Sequence, residues 1–174
     1  AGEAFDKVAR MLGLGYPGGP AVSKAAEGGN ERAYPLPVPH AAGPYDVSFS
    51  GLKTAVMNTV HNAQQKGEAV NVADMAASFQ YRITDILADK LLTAARDTGA
   101  KRICIAGGVA ANRTLRASLE TGAKRLGAQL YLPELSLCGD NAAMIAAQGY
   151  YEYAAGHLAD LSLNGVATLG IDFC

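Results

Sequence analysis

Residues 101–112 read KRICIAGGVAAN, and this stretch decides the fold because an apolar run stops there at a pair of glycines. The run over 103–106 has the composition of a buried strand, and a helix is predicted over 110–124. A strand, a tight turn at Gly107 and Gly108, and a helix together expose backbone N–H groups where anions and nucleotides bind. The stretch matches neither the dinucleotide fingerprint nor the P-loop, so an ordinary strand-to-helix turn remains an alternative.

Outward from this turn, hydrophobic periodicity predicts helices and strands that alternate late in the chain, as in an α/β layered fold. The predicted helices are one that opens the chain and ends at Gly13, a short one before Gly28, one capped by Ser50 that runs through Val60, a long one from Val72 to Gly99, and those over 110–124 and 140–155. The predicted strands are Val47–Phe49, 102–106, 128–132 and 166–171. The proline-rich residues 33–45 predict an extended connection.

The composition is that of a globular chain of one domain or slightly more, since it has 174 residues, of which 49% are apolar and 18% are charged. The net charge of -1 argues against a uniformly basic surface but leaves room for a local basic patch that contacts RNA. Widely spaced cysteines without a C-x-x-C motif favour reduced thiols and a cytoplasmic location. They are Cys104, Cys138 and Cys174. No apolar run approaches the roughly 20 residues that span a bilayer, so no membrane contact is expected.

Two further segments could carry chemistry. Asp140, in CGDN, can be the N-cap of a helix or a carboxylate ligand of a metal. The chain's histidines are His40, His61 and His157. They form no H-x-x-x-H pair, so the metal partners of Asp140 would lie elsewhere. Asp6, in GEAFDK, can be a solvated helix residue or can face one ligand together with the turn that contains Gly19.

Taken together, these segments resemble one family. The stretches GEAFDKVARMLGLGYPGGP, DVSFSGLKTAV, IAGGVAANRTLR and CGDNAAMIAA stand in the order seen in the TsaD proteins, the tRNA threonylcarbamoyladenosine-forming transferases. The resemblance runs from residue 1 to about residue 156 and corresponds to the C-terminal half of a usual family member. It implies one lobe of the two-lobed actin and Hsp70-like, ribonuclease H-like ATPase fold.

The resemblance also implies a reaction and a set of ligand contacts. The threonylcarbamoyl group would move from threonylcarbamoyl-adenylate to N6 of the adenosine just 3′ of the anticodon, in tRNAs that read ANN codons. Asp6 and Gly19 would contact the nucleotide part of the adenylate, or of ATP, with Asp6 on the ribose hydroxyls. Asn112 would hold the same ligand, while Gly107 and Gly108 would let the backbone approach it.

By the same resemblance, Asp140 would be the carboxylate ligand of an iron or zinc ion that acts as a Lewis acid. The family's two metal histidines lie in an H-x-x-x-H motif of the N-terminal lobe, and neither that motif nor the family's glycine-rich phosphate loop occurs in this sequence. Residues 1–174 are therefore expected to be a C-terminal lobe alone, inactive by itself. Lys53, in SFSGLKT, matches the family without an assigned role. The implied partners are tRNA, a paralogous TsaB-type subunit and a TsaE-type ATPase.

Other interpretations remain open at this point. Another actin-fold ATPase or a sugar kinase would share a glycine turn after a strand, and a surviving lobe could be a non-catalytic module that binds a partner. Basic pairs in one strand–helix region could contact RNA phosphates or could be ordinary solvated charge. These pairs are Lys101–Arg102, Arg113–Arg116 and Lys124–Arg125.

Overall fold

The computed structural model describes residues 1–168 and divides the chain into two compact units, Ala1–Gly139 and Asp140–Cys174. The helices are α1 (Gly2–Met11), α2 (Gly18–Ala25), α3 (Ser50–Gln65), α4 (Val72–Thr98), α5 (Arg113–Leu126) and α6 (Ala142–Ala154), and the strands are β1 (Arg102–Cys104) and β2 (Gln129–Tyr131). Short 3-10 turns cover Gly108–Ala111 and Leu135–Leu137. The α/β prediction is confirmed in the coarse sense that helices accompany a small parallel sheet.

Helix α1 opens the chain as predicted because its apolar residues recur at helical spacing and face one core. Phe5 and Val8 are at most 2% exposed, and Phe5 meets Phe79 of α4 edge-to-face with ring centroids 5.2 Å apart. The helix ends before Gly13, whose φ of +70° lies in the left-handed region that stops a helix. The first core therefore forms among α1, α2, α3 and α4, with the two aromatic rings as a direct contact between α1 and α4.

Helix α4 connects this core to a second one. Its start is capped by Asn71, whose side chain accepts the N–H of Asp74, and its end is the left-handed Gly99 with φ +67°. The α4 residues in the first core are Met75, Ala76, Phe79 and Ile83. Further along the helix, Ala88 and Ala95 pack against α5 and β1. One long helix thus supports both halves of the first unit.

The sheet consists, within the part of the chain that the structure describes, of β1 and β2 in parallel, with Ile103 opposite Leu130. Ile103 is buried against Ala95 and Ala123, so the sheet packs on both α4 and α5. Strand β1 is shorter than predicted, although the N–H of Ile105 still donates to the carbonyl of Tyr131 at 3.3 Å. The glycine turn follows directly, at the carboxyl end of β1.

The strand predicted over Val47–Phe49 is wrong, since these residues adopt no regular structure. Alternating apolar and polar residues form a strand only where a neighbouring strand pairs with them, and none does so within residues 1–168. The cap predicted at Ser50 is also wrong. Ser50 is the first residue of α3, and the cap position is held by Phe49, which makes no side-chain hydrogen bond.

Two other expectations concern the end of the chain. The predicted strand over 166–171 is not formed at residues 166–168, and its remainder lies outside the described residues, as does Cys174. Cys104 and Cys138 are free thiols. Among residues 1–168, no helix combines the length and the hydropathy that a bilayer crossing requires.

The second unit presents an apolar helix to solvent. No residue of α6 is buried within the described part of the chain, although its composition is rich in large apolar side chains. Those exposed by 53% or more are Met144, Ile145, Tyr150, Tyr151 and Tyr153. Solvation of so much apolar surface on one helix is unusual for a protein that acts as a monomer.

The close approach of the turn at Gly29 to α4 gives a test of the packing. A Cβ at Gly29 would lie 2.3 Å from the carbonyl oxygen of Ala73, which is backbone and cannot move aside. We expect Gly29→Ala to lower the free energy of unfolding by about 1–3 kcal/mol, the usual cost of overpacking. Chemical denaturation followed by circular dichroism measures the change.

Gly15→Ala is the matched control, since a Cβ at that loop glycine would meet nothing within 4 Å. It is expected to change stability by less than about 0.5 kcal/mol. Equal unfolding midpoints for the two variants would contradict the described packing.

Candidate functional site

Asp6 holds the start of α2. Its Oδ1 accepts the N–H of Gly18 at 2.8 Å, and Pro17, at the cap position, offers no side-chain cap of its own. A helix N-terminus carries free N–H groups and a partial positive charge, so a carboxylate there is stabilising. The second oxygen of Asp6 has no hydrogen-bond partner within residues 1–168. The predicted ligand residue therefore has a structural task and one free acceptor.

Gly18 is required by the protein itself. A Cβ at this position would lie 2.4 Å from the Cα of Asp6 and 2.6 Å from the carbonyl oxygen of Phe5. The absent side chain lets α2 begin directly against α1. Sequence reasoning selected Gly19 instead, and the signal that would have found Gly18 is the adjacency of the two glycines, which alone does not say which is packed.

The predicted ligand glycines fall into two kinds. Gly107 has φ +81° and ψ 173°, a conformation that side chains other than glycine rarely adopt. Gly19 and Gly108 have no positive φ, and a Cβ on either would meet nothing within 4 Å. The backbone thus explains Gly107, whereas neither conformation nor packing within the described residues explains Gly19 or Gly108.

Asn112 is the N-cap of α5. Its Oδ1 accepts the N–H of Leu115 at 3.0 Å, while its Nδ2 donates to Oε1 of Gln80 at 3.0 Å and lies 3.4 Å from Oγ of Ser23. Both amide hydrogens are therefore engaged inside the protein, and one acceptor position on Oδ1 remains. The predicted ligand contact of Asn112 stays a prediction, and the structure adds a capping task that the sequence did not reveal.

These contacts bring the predicted residues of the first unit onto neighbouring elements. Asp6 is bonded to the start of α2, which contains Gly19, and Ser23 of the same helix reaches Asn112. Val109, in the turn after Gly108, packs against both the first and the second core. There are thus two glycine turns, one at Gly18 and Gly19 and the other at Gly107 and Gly108. The contacts between α2 and the start of α5 join them.

Asp140 belongs to the second unit, and its side chain is exposed. The possibility that it caps a helix is wrong, because Asn141 is the N-cap of α6 and accepts the N–H of Met144 at 3.0 Å. The carboxylate of Asp140 is therefore not used as a cap. No group of three or more His, Cys, Asp or Glu side chains that could hold a metal occurs within residues 1–168.

Arg116 makes contacts within the protein that the sequence did not predict. The sequence leaves Arg116 as either an RNA contact or ordinary solvated charge. In the structure its half-buried guanidinium donates to the carbonyls of Ala110 and Pro133 and lies 3.3 Å from Sγ of Cys138. Arg116 therefore connects the turn after Gly107 and Gly108 to the segment that follows β2. The position of Arg116 in a predicted helix did not indicate that its guanidinium points into the protein.

Lys53 joins two helices. Its ammonium lies 3.4 Å from the carboxylate of Glu3, which also pairs with Lys7 at 2.7 Å. The hydrogen bond from Lys7, followed by the charge of Lys53, lowers the pKa of Glu3 below its usual range. Lys53 therefore links the start of α3 to α1 through its ion pair with Glu3.

An apolar groove of about 470 Å³ borders the turn at Gly107 and Gly108, since Ala106, Val109 and Ala110 are among its lining residues. It is bordered by α4 and β1 through residues such as Leu87, Leu91 and Ile105. Its lining does not include Asp6, Gly19, Gly107, Gly108 or Asn112. These five predicted ligand residues are therefore not part of the groove lining, although the groove reaches both sides of the Gly107 and Gly108 turn.

Comparison with known proteins gives one consistent result. A family model described as TsaD, tRNA N6-adenosine threonylcarbamoyltransferase, matches residues 1–147. Relatives of that name include proteins of Symbiobacterium thermophilum, 51% identical over 98% of this chain and 50% of the relative, and Moorella thermoacetica, 49% identical over 99% and 51%. The Desulfitobacterium hafniense protein is 51% identical over 98% and 50%. The chain thus spans about half the length of the curated relatives it matches.

The capping bond of Asp6 predicts how stability depends on that side chain. Asp6→Ala removes the acceptor of the Gly18 N–H and is expected to lower the free energy of unfolding by about 0.5–2 kcal/mol. Asp6→Asn keeps an acceptor oxygen and is expected to cost less. Urea denaturation of the three proteins measures the order, and a stability of Asp6→Ala equal to that of the unsubstituted chain would contradict the cap.

Proposed function

The chain belongs to the TsaD family of tRNA N6-adenosine threonylcarbamoyltransferases, and we propose that its first unit supplies one side of the nucleotide cleft used in that transfer. The fold would be one lobe of the two-lobed actin-like architecture. The substrate would be threonylcarbamoyl-adenylate, and the acceptor would be N6 of adenosine 37 in tRNAs that read ANN codons. Residues 1–174 would be the C-terminal lobe, with the rest of the cleft on another lobe.

The observation that carries this proposal is that two glycines, Gly19 and Gly108, are required neither by backbone conformation nor by packing within the described residues. Gly19 lies in the first turn of α2, and Gly108 begins the 3-10 turn after β1. Glycine in a helix costs up to about 1 kcal/mol relative to alanine. Since neither position has a packing neighbour within 4 Å of a Cβ, a ligand that rests against the backbone gives a reason for both.

The free acceptors around these glycines suit the adenylate. The unpaired oxygen of Asp6 would accept a hydrogen bond from a ribose hydroxyl, and the remaining lone pair of Asn112 would accept another from the same ligand. The Gly18 and Leu115 N–H groups are used by Asp6 and Asn112. The N–H groups proposed to favour the phosphate of the adenylate are therefore those of Gly19 in α2 and of Arg113 and Thr114 in α5. These contacts would fix the ligand and would not themselves carry out the acyl transfer.

The reaction itself needs a new bond between N6 of the adenosine and the carbamoyl carbon. The bond from that carbon to the adenylate oxygen breaks, AMP leaves, and N6 loses a proton. No residue of this chain is assigned to the proton transfer. The contribution proposed for the chain is orientation, which raises the effective concentration of the reacting groups.

An iron or zinc ion does not fit the side chains of this chain alone. Asp140 supplies one exposed carboxylate, whereas such ions need three or four ligands. We propose that Asp140 is one ligand of a site completed by two histidines from outside this chain, and that the isolated chain is inactive.

The proposed macromolecular partners are tRNA, a TsaB-type subunit and a TsaE-type ATPase. Exposed basic side chains on α5 support contact with tRNA phosphates, and they are Arg113, Lys124 and Arg125. Arg116 is excluded because its guanidinium is used within the protein. A second candidate function, a module that only binds a partner, is favoured by the exposed apolar side chains of α6.

The two unexplained glycines allow stability and ligand binding to be separated. Gly19→Ala is expected to raise the free energy of unfolding by up to about 1 kcal/mol, because alanine fits the helical backbone. It is expected to weaken ATP or AMP binding by about tenfold, because the new methyl group occupies the surface where the ligand would rest.

Isothermal titration or ligand-detected NMR with the chain measures the affinity, and denaturation measures the stability. Gly15→Ala is the control, since it adds the same methyl group at an open loop glycine. Unchanged nucleotide affinity of both Gly19→Ala and Gly108→Ala, beside clear binding by the unsubstituted chain, would refute the proposed surface.

The proposed metal site, shared between Asp140 and two histidines from outside this chain, predicts that transfer requires this chain together with the N-terminal half of a relative. The chain alone, mixed with threonylcarbamoyl-adenylate and tRNA, is expected to show little or no transfer. Addition of the N-terminal half of the Symbiobacterium thermophilum relative is expected to restore transfer, and Asp140→Asn is expected to remove it again. Transfer is measured by mass spectrometry of tRNA nucleosides, and a stoichiometric, tightly held iron or zinc in the chain alone would overturn the shared site.

A further inference from the structure

Gln80 of α4 contacts both of the helices that begin at the glycine turns. Its Oε1 accepts the hydroxyl of Ser23 on α2 at 2.7 Å and also accepts Nδ2 of Asn112 at 3.0 Å. Its Nε2 donates to Oγ1 of Thr114, in the first turn of α5, at 3.3 Å. One side-chain amide therefore connects the helix after the first turn to the helix after the second.

The amide of Gln80 is held in place by its neighbours in the sequence and in space. Phe79 is fully buried against Phe5, which fixes this part of α4 on α1. All the members of the network are half-buried, and no buried side-chain polar atom within residues 1–168 lacks a partner. A satisfied polar network in a partly desolvated site is stiff, because the loss of one member leaves the others unpaired.

Each glycine turn is also held by a hydrogen bond of its own. Asp6 fixes the start of α2 through Gly18, and Asn112 caps α5. Neither bond determines how far apart the two helix starts lie. The bonds through Gln80 constrain that spacing, since they join Ser23 of α2 to Asn112 and Thr114 of α5, beside the direct 3.4 Å contact of Asn112 Nδ2 with Ser23 Oγ.

We propose that Gln80 is a positioning residue that fixes the spacing of the two glycine turns and so prepares both for a single adenylate ligand. This inference rests on the proposed function, because only a ligand that touches both turns gains from their fixed spacing. A surface held in its bound arrangement loses less conformational freedom when the ligand binds. The effect of Gln80 would act through Asn112 and α2, without contact between Gln80 and the ligand.

The test compares substitutions that keep the size of the side chain and differ in its polar atoms. Gln80→Leu removes every hydrogen bond that Gln80 makes and leaves the direct contact of Asn112 with Ser23. Gln80→Glu keeps acceptors for Ser23 and Asn112 and loses the donor to Thr114. Ser78→Ala is the matched control on α4. It removes hydrogen bonds to the backbone of Asn30 and Tyr34, which lie away from both glycine turns in the chain.

The first measurement is amide hydrogen exchange. In Gln80→Leu the N–H of Leu115, which depends on the Asn112 cap, is expected to exchange about tenfold faster relative to α3 amides. In Gln80→Glu the increase is expected to be smaller, and Ser78→Ala is expected to leave this amide unchanged. Exchange at Leu115 that responds equally to Gln80→Leu and Ser78→Ala would overturn the proposal, whether or not a nucleotide binds.

The second measurement is ATP affinity beside overall stability. Gln80→Leu is expected to bind ATP about tenfold more weakly than the unsubstituted chain, with Gln80→Glu between them. Ser78→Ala is expected to lose stability without losing affinity. Affinity that follows stability across all variants would reduce Gln80 to a packing residue. Failure of the unsubstituted chain to bind ATP would count against the proposed function, and hydrogen exchange would then decide the role of Gln80.

Discussion

The edge-to-face contact of Phe5 with Phe79 is the interaction on which the arrangement of the first unit depends. Both rings are almost fully buried, and such a pair contributes about 0.5–1.5 kcal/mol beyond the area it removes from water. It fixes α1 on α4. Because Asp6 follows Phe5 and Gln80 follows Phe79, the same contact positions the carboxylate that begins α2 and the amide that joins α2 to α5.

Helices α1 and α4 could be predicted from the sequence because each buries a face whose apolar residues repeat at helical spacing. Helix α6 buries none of its residues within residues 1–168. The long helix also carried its own end signal at Gly99. The strand expected over Val47–Phe49 could not be judged in this way, since a strand depends on a neighbour that the local pattern does not identify. The cap of α6 was open to misplacement by one residue for a different reason: Asp140 and Asn141 are adjacent and either side chain is suited to a cap.

The candidate site shows a similar division. The sequence indicated where glycines cluster, but it could not distinguish Gly18 and Gly107, which packing or backbone conformation requires, from Gly19 and Gly108, which neither requires. Long-range contacts were outside its reach as well. Gln80 and Arg116 lie far in sequence from several of the groups they bind, and a glutamine or an arginine on a helix is ordinarily a solvated residue.

The physical requirements of binding and of chemistry separate along the chain. Every group proposed to touch the nucleotide is held by other residues of the first unit, through helix starts, a side-chain amide and a shared core. The proposed metal ligand, Asp140, belongs to no group of three or more potential metal ligands within residues 1–168. A helix start and a glycine turn can be made by local sequence, whereas a metal site must gather ligands from distant parts of a protein. The proposals together imply that a chain which binds the nucleotide need not perform the transfer by itself, and that the two properties can be measured independently.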